Sequence, residues 1–112
     1  MISVLYVDDE PDLLDIAKLF LEKTEEFKVF IANSVDEGFE ILHETPIDVI
    51  VSDYQMPYKS GIQFLKEFRS IPDNRPFILF TGRGREEIVI EAINSGADFY
   101  LQKGGDIRAQ FA

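Results

Sequence analysis

The chain has 112 residues, a net charge of −10 and no cysteine, and 46% of its residues are hydrophobic. These values predict one folded domain and argue against a nucleic-acid surface or a membrane-attracted surface, since both need basic patches. No apolar run approaches the roughly 18 residues that a membrane span needs. The N-terminus lacks the basic segment of a secretory signal, so we expect a cytoplasmic protein.

Apolar runs of strand length alternate with segments of helical period. The first strand is predicted at residues 2–7, and a helix follows over residues 13–21, where apolar side chains recur at the spacing of one helix face. The second strand is predicted at residues 27–32. Ser34 is a suitable N-cap for the second helix, with Glu37 as its capping-box partner.

The second half of the chain continues the alternation. In order, we predict a strand at 47–52, a loop at 53–61, a helix from Ile62, a strand at 77–81, a helix at 86–95, a strand at 98–102 and the start of a fifth helix at 106–112. Gly96 stands where a helix C′ glycine belongs. The fourth helix has more apolar residues than one buried face needs, so it either contacts the core widely or also binds a partner.

Five alternations of strand and helix predict a parallel sheet with helices on both faces. We therefore expect an α/β fold of flavodoxin-like (βα)5 type, a three-layer sandwich whose five-stranded sheet has the order 2-1-3-4-5 and whose last helix is truncated. No linker or internal repeat divides residues 1–112. The chain is expected to be a single domain that was excised or trimmed from a longer protein.

Polar side chains follow four of the predicted strands at their carboxyl ends. The first strand leads into Asp8 and Asp9, the third into Asp53, the fourth into Thr81 and the fifth into Lys103. Ligand sites of open parallel sheets lie outside these ends, and the predicted order makes the first strand a neighbour of the third. We expect the three carboxylates to lie close together.

Clustered carboxylates repel one another unless a positive charge lies among them. With oxygen ligands and no thiolate, Mg²⁺ is the natural candidate cofactor. A carboxylate nucleophile, a metal, a lysine and a hydroxyl group suit phosphoryl transfer. Taken alone, the acids after the first strand are more often a solvated helix entry, and only the other strand ends favour a metal site.

The chain resembles the receiver (response-regulator) domain of two-component signalling over nearly its whole length. The resemblance rests on the segments VDDE, DYQMPYKSG, TG and GADFYLQK, which contain the family's acid pair, its D-x-x-M-P-x-x-x-G loop, and its threonine and lysine. It implies a phosphoprotein of a two-component phosphorelay. Such a module catalyses its own phosphorylation and dephosphorylation but is not a turnover enzyme on a separate substrate.

The resemblance implies that Asp53 accepts a phosphoryl group from the phosphohistidine of a histidine kinase or phosphotransfer domain. Asp9, Asp53 and the backbone carbonyl of Gln55 would bind Mg²⁺ directly, and Asp8 would act largely through water. Lys103 would pair with phosphoryl oxygens.

The resemblance also implies which residues transmit phosphorylation to the protein surface. Thr81 would hydrogen-bond a phosphoryl oxygen, and Tyr100 would turn inward when Thr81 moves. Gln55 and Arg83 occupy positions that tune phosphate lifetime. Phosphorylation would switch a surface formed by the fourth helix, fifth strand and fifth helix. That surface would bind an output protein or domain, or form a homodimer.

One departure from the family pattern concerns the lysine loop. Lys103 is followed by Gly104 where the family usually has a proline joined by a cis peptide bond. A cis bond before a residue other than proline costs about 2.5–4 kcal/mol, so a trans bond is expected here. We expect a less firmly aimed lysine, and hence an altered phosphorylation rate.

Two other functions could use part of the same residue pattern. A dehalogenase-like phosphohydrolase also uses a strand-end aspartate and Mg²⁺, but it places its nucleophile after the first strand in a D-x-D pattern. Here the first-strand acids are adjacent. An unphosphorylated receiver-like scaffold is the other rival.

Overall fold

The computed structural model describes residues 1–54, 56–71, 73–81 and 86–102, except for the side chains of residues 81, 86–89 and 99–102. The strands are β1 (Ile2–Val7), β2 (Phe27–Ala32), β3 (Val49–Asp53), β4 (Phe77–Thr81) and β5 (Phe99–Gln102). The helices are α1 (Pro11–Glu22), α2 (Val35–Glu44), α3 (Gly61–Arg69) and α4 (Glu86–Asn94). The predicted fifth helix lies outside the described residues.

The five strands form one parallel sheet in the order β2-β1-β3-β4-β5, which confirms the predicted fold class. The third strand begins two residues later than predicted. Asp48 is the reason: its carboxylate accepts a hydrogen bond from the Ser3 amide at 2.7 Å, and its own amide donates to the Ser3 carbonyl at 2.8 Å. The regular register with β1 therefore starts at Val49, which pairs with Val4.

Side chains from both faces of the sheet are buried against helices, as a doubly covered parallel sheet requires. On one face Phe64 of α3 packs edge-on against Phe39 of α2 and Phe77 of β4, with ring centroids 5.0 and 5.3 Å apart. On the other face Val4 and Tyr6 pack with residues of α1. The carboxyl ends of the strands are thereby held between the two layers.

The helix starts were predicted only in part. Ser34 caps α2 by accepting from the Glu37 amide at 3.2 Å, but the Glu37 carboxylate accepts from the Asn33 amide rather than from that of Ser34. The predicted capping box is therefore wrong in its second half, because the carboxylate reaches one residue further back. A complete capping box, which the sequence reading did not identify, joins Ser60 and Gln63 at the start of α3.

The end of α4 is a Schellman motif on Gly96, as the sequence predicts. Gly96 has φ +100°, its amide donates to the carbonyl of Ile93, and the Ala97 amide donates to that of Ala92. Ile93 is 61% exposed and Ile90 is 52% exposed. The apolar residues of α4 therefore reach solvent as well as the core. None of the helices in the described ranges is long and apolar enough to cross a bilayer.

Candidate functional site

Two aspartates lie next to each other at the carboxyl edge of the sheet. Val7 of β1 pairs with Ser52 of β3, so the residues that follow them, Asp8 and Asp53, occupy matching positions on the same face. Asp8 is fully buried and Asp53 is 6% exposed. Neighbouring strands are about 4.8 Å apart, so the tertiary structure brings together these two predicted site residues.

The first acidic segment forms a compact group of oxygen ligands. Carboxylate oxygens of Asp8, Asp9 and Glu10 lie within 4.8 Å of one another. Asp8 also accepts a hydrogen bond from the Glu10 amide at 3.0 Å, which holds its carboxylate at the start of the turn into α1. The group runs from buried Asp8 to exposed Glu10. This donor set fits a hard divalent cation such as Mg²⁺, which binds through oxygen and retains water ligands.

Tyr6 is a residue of the site that sequence reasoning missed. It lies on the same face as Asp8 and Asp53 and is 1% exposed. Burial raises the pKa of its phenol strongly, and the charges of Asp8 and Asp53 raise it further. A tyrosine among apolar strand residues, two positions before an acid, is the signal that could have identified it. A neutral phenol thus lies beneath the acidic edge.

The β3–α3 loop closes back onto the end of β3. The Gly61 amide donates to the Tyr54 carbonyl at 2.8 Å, and the Ser52 hydroxyl donates to the Asp53 carbonyl at 3.0 Å. A Cβ at Gly61 would collide with the backbone oxygen of Asp53 and would lie 2.8 Å from the Leu79 side chain. Glycine is therefore needed at this position for the loop to pack against the strand that carries Asp53.

The structure gives only the backbone positions of two further predicted site residues, Thr81 and Tyr100. Thr81 is the last residue of β4 and pairs with Gln102 of β5, while Tyr100 pairs with Leu79. These backbones bring Thr81 to the same edge as Asp53, which pairs with Phe80. The side chains of Thr81 and Tyr100 are not described. The predicted residues Gln55, Arg83, Lys103 and Gly104 lie outside the described residues.

Comparisons with known proteins give consistent results. A profile of the response regulator receiver domain matches residues 4–110. The chain is similar to response regulator Rre1 of Synechocystis sp., with 34% identity over 94% of this chain and 46% of that protein. It is also similar to response regulator SaeR of Staphylococcus aureus, with 36% identity over 92% of this chain and 44% of that protein. The chain therefore spans less than half the length of these curated relatives.

Solved structures agree with the sequence comparisons. The crystal structure of a response regulator receiver domain protein from Clostridium thermocellum superposes with a TM-score of 0.86 at 32% identity. The superposition covers 99% of this chain and 89% of that chain. The arrangement of strands at the acidic edge is thus one that this chain has in common with known structures.

Proposed function

This chain belongs to the response regulator receiver domain family, whose members are phosphoacceptor signalling modules, and we propose that Asp53 is the residue that accepts the phosphoryl group. The observation that carries the proposal is the register of β1 and β3, which sets Asp53 beside Asp8 at the recessed carboxyl edge. The match to the receiver family favours this function over the phosphohydrolase. The complete set of acids, threonine and lysine favours it over the unphosphorylated scaffold.

Receiver domains are in general Mg²⁺-dependent, and the oxygen ligands of the acidic edge fit that ion. In the proposed site Asp9, Asp53 and the Gln55 carbonyl would bind Mg²⁺ directly, and Asp8 would act through water. When bound, the ion neutralises charge on the phosphoryl oxygens. The half-buried position of Asp9, between buried Asp8 and exposed Glu10, suits a ligand that must meet an ion entering from solvent.

In the proposed reaction a carboxylate oxygen of Asp53 forms a bond to phosphorus while the phosphorus–nitrogen bond of the donor phosphohistidine breaks. The product is an aspartyl phosphate and a histidine that regains a proton from solvent. Lys103 pairs with phosphoryl oxygens and Thr81 donates a hydrogen bond to one of them. Because Asp53 is nearly buried, the reacting atoms are held where little water competes.

We also propose the partners of the domain and the surface through which it signals. The phosphodonor is a histidine kinase or phosphotransfer domain, and the chain catalyses its own phosphorylation and dephosphorylation without being a classical turnover enzyme. Thr81 and Tyr100 couple the phosphoryl group to a surface of α4, β5 and the predicted fifth helix. This surface binds an output protein or domain, or a second copy of the chain. Gln55 and Arg83 tune phosphate lifetime. Residues 1–112 act as a single domain, in the cytoplasm.

The test is the intact mass of the chain after incubation with acetyl phosphate and Mg²⁺. We expect one phosphoryl adduct that requires Mg²⁺ and disappears in Asp53→Asn. Asp12→Asn is the matched control, because Asp12 is an exposed carboxylate in the first turn of α1. An adduct that persists in Asp53→Asn, or that forms equally well without the metal, would refute the assignment.

A further inference from the structure

Tyr58 combines two unfavourable features at the rim of the site. Its φ is +69°, a conformation that bulky side chains rarely adopt, and its side chain is 102% exposed. Among the residues that the structure describes, Glu25 is the only other non-glycine residue with positive φ. Because the ring is exposed, no burial within the domain offsets the backbone strain at Tyr58.

The strain has a clear local origin. The Lys59 amide donates to the Pro57 carbonyl at 2.8 Å, which makes Tyr58 the central residue of a three-residue turn. A γ-turn with positive φ at its centre is rare and strained, and glycine would adopt it at the least cost. The chain instead carries a large aromatic side chain at this position.

The residues after Tyr58 hold the turn in place. The Lys59 ammonium pairs with Glu67 of α3 at 3.0 Å and with Asp36 of α2 at 3.8 Å, and the hydrogen bond to Glu67 raises the pKa of Lys59. Ser60 and Gln63 then close the capping box of α3. The ring of Tyr58 is therefore presented from an anchored loop, which lowers the entropy lost when it is bound.

The position of this loop indicates what binds the ring. Tyr58 lies on the β3–α3 loop, which starts directly after Asp53 and returns to the end of β3 through the Gly61–Tyr54 hydrogen bond. Asp53 is only 6% exposed, so a protein donor must bring its phosphohistidine down to the carboxyl edge of the sheet. Tyr58 is fully exposed on the loop that follows Asp53, so we expect a surface pressed against that edge to contact its ring.

We propose that Tyr58 is a docking residue for the protein phosphodonor, and that its ring is buried against the donor surface next to the phosphohistidine. The inference rests on the proposed function, since only a donor to Asp53 has to approach this edge. Tyr58 does not take part in the chemistry. A small phosphodonor, which needs no docking surface, is therefore insensitive to it.

The test compares two donors across three variants. One donor is acetyl phosphate, and the other is the phosphorylated histidine-bearing domain of a histidine kinase chosen because it phosphorylates the wild-type chain. Tyr58→Asn and Tyr58→Gly remove the ring and tolerate positive φ, while Tyr58→Phe keeps the ring. Thermal unfolding of each variant accompanies the rates, and the glycine variant is expected to be at least as stable as the wild type.

Loss of an aromatic residue that is a binding hot spot weakens binding by about tenfold or more, so we expect the rate of phosphoryl transfer from the protein donor to fall by that factor in the Asn and Gly variants. Tyr58→Phe should stay close to the wild type, and all variants should react equally with acetyl phosphate. Unchanged transfer from the protein donor overturns the inference. An equal fall in the rate with both donors also overturns the inference, because it would show that Tyr58 supports the structure around Asp53 and does not dock the donor. If neither acetyl phosphate nor any phosphorylated histidine-bearing domain phosphorylates the wild type, the proposed function itself is refuted.

Discussion

Asp8 and Asp53 are adjacent across the β1–β3 pair, on one face of the sheet, and both are nearly excluded from solvent. Two ionised carboxylates held at about the spacing of adjacent strands would repel by on the order of 3 kcal/mol at the effective dielectric constant of a protein surface. A cation bound at this edge would relieve such a repulsion. We therefore expect metal binding and stability to be coupled through this pair.

Replacing Asp8 should separate the effect of charge repulsion on stability from the effect of metal binding. Asp8→Asn keeps an oxygen that can accept from the Glu10 amide, but it removes one of the adjacent charges. Without metal we expect the free energy of unfolding to rise by about 1 kcal/mol, since a buried like-charge contact is lost. Mg²⁺ at about 100 times its dissociation constant should stabilise the wild type by about 2.7 kcal/mol and the variant by much less. Urea unfolding with and without Mg²⁺ measures both, and equal stabilisation of the two proteins would contradict the prediction.

Tyr6 should make alkaline stability depend on its hydroxyl group. Its folded pKa is raised, chiefly by burial, above the unfolded value of about 10. The neutral phenol therefore contributes stability fully below about pH 10, and that contribution is lost as the pH rises further toward the folded pKa. In Tyr6→Phe the free energy of unfolding should fall less steeply above about pH 10, by up to 1.4 kcal/mol per pH unit. Tyr58→Phe is the control, because the Tyr58 ring is exposed, and identical slopes for Tyr6→Phe and wild type would be evidence against the prediction.

Two glycines should respond differently to the same substitution. In Gly61→Ala the new methyl group meets the Asp53 backbone and the Leu79 side chain, so we expect a loss of about 1–3 kcal/mol and slower phosphorylation, because the end of β3 must move. In Gly38→Ala the nearest atom is Val7 Cγ2 at 3.3 Å, and this side chain can shift slightly. Alanine also favours the helix by about 1 kcal/mol, so a small net change is expected at Gly38. Urea unfolding and the acetyl phosphate adduct give both readouts. Similar losses in the two variants would be inconsistent with a specific need for glycine at 61.

Much of this protein could be predicted from local sequence. Strand and helix periods, the Ser34 cap and the C′ glycine at position 96 depend on residues a few positions apart, and the structure confirms them. The partner of Glu37 was predicted wrongly, since a shift of one residue along the entering chain is invisible to a motif. Assignment of Asp53, Thr81 and Lys103 to phosphoryl transfer stays a prediction, which the resemblance to a family supports.

Tertiary structure alone decided the exact register of the site. The expected strand order already predicted that Asp8 lies near Asp53. Their matching positions on one face, the burial of Tyr6 beneath them and the positive φ of Tyr58 depend on strand register and on how the β3–α3 loop returns to the sheet. Hydrogen bonds between strands that are distant in sequence set that register. The order of polar and apolar residues thus determined the elements and the edge to which the proposed chemistry is assigned. The register of β1 against β3 determined the contacts at that edge, because no local pattern encodes the register between strands that are distant in sequence.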